Sequence, residues 1–272
     1  MKISKLRVGI VGCGTIGSQV AYACQDMLQE KVELVALCDT DTDKAFLLKN
    51  ALKKGPRILK LTELIKKCNF VVEAASAKVS GDLLDKCIRA GRDCMVMSVG
   101  GLVGRENSLK RAIKKRVKVY IPSGALCGID GLKSASTGRI DHVTLTTRKP
   151  PKGLEGAPYL KEKNIDLSGI TGEETIFDGN VEEAIRGFPQ NVNVAAVLSL
   201  AGLGAKKTTV KIVTSPHYTK NIHEVEISGE CGRIFTRTEN VPSMANPKTS
   251  ELAVFSAIAT LAGITNSVRI GT

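Results

Sequence analysis

The feature that most constrains this chain is the stretch Arg7-Val8-Gly9-Ile10-Val11-Gly12-Cys13-Gly14-Thr15-Ile16-Gly17, an apolar run that leads into Gly12-x-Gly14-x-x-Gly17. A buried strand followed at once by a helix-forming segment, here from Ser18 to about Leu28, is the order that a dinucleotide-binding loop requires. Gly12 permits the tight turn, Gly14 removes the side chain that would block a pyrophosphate, and Gly17 lets the helix pack closely on the strand. The helix N-terminus then offers free N–H groups and partial positive charge to the phosphates. Gly12, Gly14, Thr15, Ile16 and Gly17 are therefore the expected pyrophosphate contacts. The next strand, Val32 to Cys38, ends at Asp39, roughly 20 residues beyond Gly17, where a carboxylate accepts hydrogen bonds from the adenine ribose of NAD. No Arg follows Asp39 to meet the 2′-phosphate of NADP, so NAD is preferred, while Lys44 keeps NADP use open.

The alternation continues. Thr40-Asp41-Thr42-Asp43 offers caps for a helix from Lys44 to Lys54 that stops at Gly55-Pro56. A short helix from Thr62 to Lys67 precedes the apolar strand Phe70 to Ala75, which brings Ser76 to the carboxyl edge of the sheet, the edge at which such sheets bind ligands. A helix from Ser80 to Ala90 stops at Gly91, and a strand from Cys94 to Ser98 follows. Val99-Gly100-Gly101 reads as a flexible turn, either beside the nicotinamide or a plain loop. A helix from Arg105 to Lys115 and a strand from Val117 to Ile121 complete the pattern. Strand and helix in turn over residues 6 to 121 imply an α/β domain: a Rossmann-type doubly wound parallel sheet with helices on both faces.

At Pro122-Ser123-Gly124-Ala125 the pattern changes. The strand His142 to Arg148, a Pro/Gly-rich loop from Lys149 to Pro158, an irregular stretch from Asp166 to Thr175, helices at Val181 to Arg186 and Val194 to Ala201, and strands at Thr208 to Thr214, Ile222 to Ser228 and Arg233 to Glu239 describe an α+β domain with a mainly antiparallel sheet. Asn246-Pro247-Lys248-Thr249-Ser250 reads as the capped opening of an apolar helix from Glu251 to Ala262. The expected division is a dinucleotide-binding domain, 1–121, completed by the C-terminal helix, 246–272, and a substrate and dimerisation domain, 122–245.

Composition bounds the remaining classes. With 272 residues, 43% hydrophobic and 24% charged, the chain fits an ordinary soluble globular protein. No apolar run is long enough to span a bilayer, and Met1 to Lys5 lead into a strand rather than a signal peptide, so a cytoplasmic protein without membrane partners is expected. The eight cysteines are scattered, with no Cys-x-x-Cys pair and no His at ligand spacing; they read as small buried hydrophobes in a reducing compartment, and no metal site is expected. The formal charge of +12 raises nucleic acid as a partner. The basic residues fall on polar helix faces without a recognition motif, and aromatics are only 4%, so a solvated basic surface that draws in anionic substrate and cofactor is the expectation.

A dehydrogenase needs a proton-handling group, and three histidines are available. His142 lies in an alternating strand, His217 in a turn after Ser215-Pro216, and His223 at the start of a strand, from which its ring is able to reach a cleft. Spacing alone does not choose among them.

Taken together and in order, Gly12-x-Gly14-x-x-Gly17, Pro122-Ser123-Gly124-Ala125, Phe188-Pro189-Gln190-Asn191-Val192-Asn193-Val194-Ala195-Ala196, Asn221-Ile222-His223 and Asn246-Pro247-Lys248-Thr249-Ser250 resemble the L-aspartate dehydrogenase family over essentially the whole chain. The resemblance implies oxidation of L-aspartate with NAD or NADP through iminoaspartate to oxaloacetate and ammonia, or delivery of the imine to NAD biosynthesis. It also implies a homodimer, His223 as the active-site histidine, and Ala125 and Asn191 as cofactor contacts. Lys248, Thr249 and Ser250, at a helix opening, are expected to hold a substrate carboxylate as well as to cap the helix. Thr214-Ser215-Pro216-His217 stands where the family usually has an Asp-Pro pair, a departure that bears on the conformation of the loop before His223 and adds His217 as a competitor. An imidazole with a pKa near neutrality suits the water addition that follows hydride loss. The rivals are a reductase of the dihydrodipicolinate or homoserine type, whose first member is expected to carry a histidine pair not found here, and a non-catalytic NAD-binding regulator with a basic face.

Overall fold

Val8 to Val11 is buried without a break, as a strand inside a parallel sheet must be. In the computed structural model, which describes residues 5–189, 192–244 and 246–271, this strand, β1 (Leu6–Val11), is central to a six-stranded sheet. It is followed by α1 (Thr15–Gln25), β2 (Val32–Cys38), α2 (Thr42–Ala51), β3 (Arg57–Ile58), α3 (Leu61–Lys67), β4 (Phe70–Glu73), α4 (Ala77–Ala90), β5 (Asp93–Val96), α5 (Glu106–Lys115) and β6 (Val119–Tyr120). The strand order is β3-β2-β1-β4-β5-β6, and every pair is parallel. The order reverses between β1 and β4, the switch point at which open sheets of this type bind ligands. Val8, Ile10, Leu37, Phe70, Val72 and Met95 pack together at the centre of this unit, and each fully buried side chain of this size contributes about 1.5–3 kcal/mol.

Local chemistry explains the helix limits. Asp41 accepts from the N–H groups of Asp43 and Lys44 and so starts α2 two residues earlier than its apolar pattern suggests. Gly91, with a positive φ, closes α4. Val99–Leu102 is a buried turn of 3₁₀ helix rather than a flexible loop. A Cβ on Gly101 would lie 2.1 Å from the carbonyl oxygen of Ala77, so this glycine serves close packing on α4.

The second compact unit comprises residues Ser123–Ala253 and Ile270–Thr272, the first Met1–Pro122 and Val254–Arg269. It contains α6 (Ile129–Ala135), β7 (Ile140–Lys149), α7 (Pro158–Glu162), β8 (Glu174–Asn180), α8 (Val181–Gly187), α9 (Asn193–Ala201), β9 (Thr208–Thr214), β10 (Asn221–Gly229), β11 (Gly232–Asn240), β12 (Pro242–Ser243) and β13 (Asn246–Ser250). Its five-stranded sheet has the order β11-β10-β7-β9-β8 and is antiparallel except for β7 beside β9. Alternation sorts the side chains into two faces. Val143, Leu145, Thr147 and Lys149 of β7 and His223, Val225 and Ile227 of β10 are buried, while Glu224 and Glu226 stand on the opposite face.

Two expectations are corrected here. Part of the stretch expected to be irregular, together with the residues after it, forms edge strand β8. Asn246–Ser250 is not the first turn of a helix; it is β13, paired antiparallel with β12, and α10 (Glu251–Thr265) starts only afterwards. Ala257 and Leu261 of α10 belong to the core of the first unit. Among the described residues no helix is long and apolar enough to cross a membrane, no group of His, Cys, Asp and Glu is placed to hold a metal, and all eight cysteines are free.

Candidate active site

In the first unit the glycine loop has three distinct geometries. Gly12 has φ +97°, and a Cβ there would lie 2.4 Å from the Ala74 carbonyl oxygen; one on Gly17 would lie 1.8 Å from that of Gly12. These two glycines are demanded by the chain itself. At Gly14 an added Cβ would meet nothing within 4 Å, so the space above it is open, as a pyrophosphate requires. Gly14 caps α1 without a side chain, and the first bond of the helix ladder runs from the Ser18 N–H to the Gly14 oxygen at 2.9 Å. The N–H groups of Thr15, Ile16 and Gly17 therefore lie outside that ladder, as the first donors of a helix do.

Asp39 is fixed from both sides. Its Oδ2 accepts from the Cys13 N–H at 2.6 Å and its Oδ1 from the Asp41 N–H at 2.9 Å. Oδ1 also accepts from the Thr40 hydroxyl at 3.5 Å; with about four lone-pair sites on an ionised carboxylate, Oδ2 retains one for a ribose hydroxyl. Burial, and next the Asp39 charge, push the Cys13 thiol up to about 12, which leaves it unreactive. Lys44 is turned to Asp41, 3.3 Å away.

Ser76 precedes α4 with an exposed side chain that makes no cap bond, and what holds it is Glu73. The Glu73 side chain is fully buried. Its Oε1 accepts from the N–H groups of Ala75 (2.8 Å) and Ser76 (3.1 Å), and its Oε2 from that of Ser98 (2.9 Å). One carboxylate thus ties together the turns after β4 and β5. Burial raises its pKa and the backbone hydrogen bonds oppose the rise. In the sequence Glu73 is hidden inside an apolar strand; the signal for its role is a charged residue at a buried strand end, which must find partners.

The second unit gathers another polar set. The His223 ring is buried, with Nδ1 3.0 Å from the Thr147 hydroxyl across the β7–β10 ladder. Burial first, and the Lys149 charge second, lower its pKa to about 3, so the expected near-neutral imidazole is instead uncharged throughout the physiological range. Lys149, two residues along β7 from Thr147 and on the same face, is itself brought down to about 8 by burial. The expected loop from Lys149 to Pro158 therefore starts one residue later, because the alternation of β7 carries Lys149 onto the face of Thr147.

A hydrogen-bonded path connects other expected residues. The Ala125 carbonyl accepts from Thr238 Oγ1 (3.3 Å) and Asn240 Nδ2 (3.2 Å). Thr238 Oγ1 is also 3.2 Å from the His223 carbonyl, and the Ser250 hydroxyl donates to Asn240 Oδ1 at 2.6 Å. Ala125, His223 and Ser250 are thus joined through Asn240 and Thr238, neither of which the sequence singled out. Thr249 is half-buried on β13. Asn191 and the side chain of Lys248 lie outside the described residues. His142 is exposed. His217 is exposed too, and among the described residues its ring makes no hydrogen bond.

The chain resembles known proteins along its whole length. Residues 130–264 match the family model for the C-terminal region of aspartate dehydrogenase, and residues 12–122 that for the NAD-binding domain of homoserine dehydrogenase. An L-aspartate dehydrogenase of Methanosarcina mazei is 46% identical over 271 residues, 98% of this chain and 100% of the relative. One of Nitrosopumilus maritimus is 39% identical over 98% of this chain and 99% of its own. The crystal structure of an aspartate dehydrogenase from Thermotoga maritima superposes with a TM-score of 0.77 at 27% identity, covering 98% of this chain and 100% of that one.

Proposed function

The chain belongs to the L-aspartate dehydrogenase family, and from that premise we propose that it oxidises L-aspartate at Cα with NAD, or less readily NADP. The product is iminoaspartate, which water converts to oxaloacetate and ammonia or which passes intact to NAD biosynthesis. The similarity along 98% of the chain carries the choice of substrate, and the open cradle at Gly14 supports the cofactor. The bound dinucleotide supplies an acceptor for the hydride that leaves Cα.

The remaining work falls to side chains. Thr15, Ile16 and Gly17 hold the pyrophosphate through their N–H groups, Asp39 holds the adenine ribose and disfavours a 2′-phosphate, and Ser76, fixed by Glu73, completes the carboxyl edge. His223 takes a proton from the water that adds to the imine carbon. That role requires the tautomer in which Nδ1–H donates to the Thr147 hydroxyl and leaves Nε2 with its lone pair. The low pKa makes an isolated His223 a weak base. A substrate with two carboxylates raises it, because nearby negative charge favours the protonated ring. Lys149, cationic at neutral pH, pairs with one carboxylate, and Lys248 and Thr249 with the other; Ser250, expected beside them, gives its one hydroxyl proton to Asn240 and reaches the substrate only if that bond is exchanged. Ala125 and Asn191 are assigned to the cofactor.

A homodimer in the cytoplasm is part of the same reading. The family resemblance supports the dimer, and eight free cysteines fit a reducing compartment. Incubation with aspartate and NAD generates NADH absorbance, whereas homoserine does not. Absence of NADH with aspartate across neutral to alkaline pH, in folded protein saturated with cofactor, refutes the assignment, and light scattering at the mass of a monomer refutes the dimer.

A further inference from the structure

The cofactor cradle occupies the carboxyl edge of the first unit's sheet, and at the amino edge, one strand length or roughly 20 Å away, lies a cleft of about 510 Å³. It is lined by Lys5, Arg7, Lys53, Lys54, Arg57 and Lys67, and among the described residues its only acidic lining residue is Glu33. Part of this charge is already answered. Arg7 lies 3.7 Å from Glu33, and Lys53 2.6 Å from Asp26. The carboxyl ends of α1, α2 and α3 lie beside the same cationic residues, and each helix end is equivalent to roughly −0.5 charge. Six cations against two carboxylates and three helix ends leave an excess of roughly two to three positive charges. Lys54, Arg57 and Lys67 have no ion pair among the described residues.

We propose that this cleft is a second anion site, built for the polyphosphate group of a small molecule. The volume lies within the roughly 300–1,000 Å³ of small-ligand sites. The scaffold is fixed: the Gln25 side chain accepts from the Lys54 N–H at 3.0 Å and donates to the Lys54 carbonyl, pinning the turn after α2 to the end of α1. Leu34, Val35 and Pro56 supply an apolar part of the wall, and among the described residues no aromatic side chain lines it for base stacking. A concave cleft without stacking platforms suits a compact polyphosphate better than a nucleic-acid strand.

The test is calorimetric titration of sodium tripolyphosphate into the full chain saturated with NADH, which fills the opposite edge. One saturable site is expected, weakened by added salt. Substituting Lys54→Gln together with Arg57→Gln, both exposed, weakens it by about 10-fold or more and leaves NADH affinity unchanged. ATP binding more tightly than tripolyphosphate adds a base seated on the apolar wall, and equal affinity assigns the site to the polyphosphate alone; both uphold it. No saturable binding by the parent, equal binding by the double variant, or duplex DNA binding more tightly than tripolyphosphate and lost in the same variant overturns it.

Discussion

Replacing Gly17 and Gly14 by alanine, one at a time, separates what the loop does for the fold from what it does for the cofactor. A Cβ on Gly17 stands 1.8 Å from the Gly12 carbonyl oxygen, about half the roughly 3.5–4.0 Å at which non-bonded heavy atoms rest. The obstacle is backbone, so α1 has to move away from β1. Overpacking of this kind costs about 1–3 kcal/mol, and a backbone obstacle belongs at the upper end. At about 2–4 °C per kcal/mol for a chain of this order of size, the Tm of the cofactor-free protein falls by roughly 6–12 °C. Gly14→Ala behaves differently. Its Cβ meets nothing within 4 Å and its φ of −77° suits any residue. The loss of a favourable cap costs at most about 1 kcal/mol, or under roughly 4 °C. The methyl group stands instead in the space proposed for the pyrophosphate, and about 1–3 kcal/mol of overpacking there weakens NADH binding roughly 5- to 150-fold. Scanning calorimetry of the free protein and fluorescence titration with NADH measure both quantities. Parental Tm in Gly17→Ala, or parental NADH affinity in Gly14→Ala, refutes the reasoning for that position.

Other outcomes follow from the polar groups. His223→Ala lowers turnover by about 10²-fold or more while NADH affinity holds, and His217→Ala changes neither; the reverse pattern moves the role to His217. In the unfolded chain an imidazole binds a proton below about pH 6.5, whereas folded His223 refuses it until about 3. Stability present above pH 6.5 is therefore lost as pH falls through that window, by up to about 1.4 kcal/mol per unit. Urea titrations from neutral to acid pH show this slope, and His223→Asn flattens it. Lys149→Met removes the nearby charge and raises the His223 pKa, read from imidazole resonances; it also raises KM for aspartate more than it lowers kcat, and an unchanged KM removes Lys149 from the substrate site. Glu73→Gln sets an amide N–H against one of three backbone donors, at about 1–3 kcal/mol, and raises KM for NAD; unaltered Tm and KM refute the clamp.

The first unit was legible because its signals are local. Gly12, Gly17 and Asp39 act within one strand–helix–strand unit, and the apolar runs of β1, β2 and β4 report their own burial. Features that depend on distant partners were not. In β8, Asp178-Gly179-Asn180 resembles turn chemistry, yet these residues pair with Lys211, Val210 and Thr209 at the sheet edge, where a weak strand former is tolerated. The proline of Asn246-Pro247-Lys248-Thr249-Ser250 suits the first turn of a helix and equally the short two-stranded ladder that forms; which one wins depends on β12. The depressed pKa of His223 required knowing that its face of β10 is covered and that Lys149 shares it. Asn240 and Thr238 acquire their importance from the Ala125 carbonyl, more than a hundred residues away.

The ion pairs on the far face of the second sheet have a consequence for the site they never touch. Glu224 is paired with Arg148 at 3.1 Å and with Arg237, next in sequence to His223 and pointing the other way. Pairs of this kind add little stability. A slip of β10 by one residue, however, exchanges the two faces, sending Glu224 into the apolar layer and His223 among the arginines. Both errors are costly at once, since a buried carboxylate loses its partners as the imidazole loses Thr147. The charge pattern therefore acts as a proofreader of strand register, and the facing of His223 towards Thr147 is secured by ion pairs on the opposite side of the sheet.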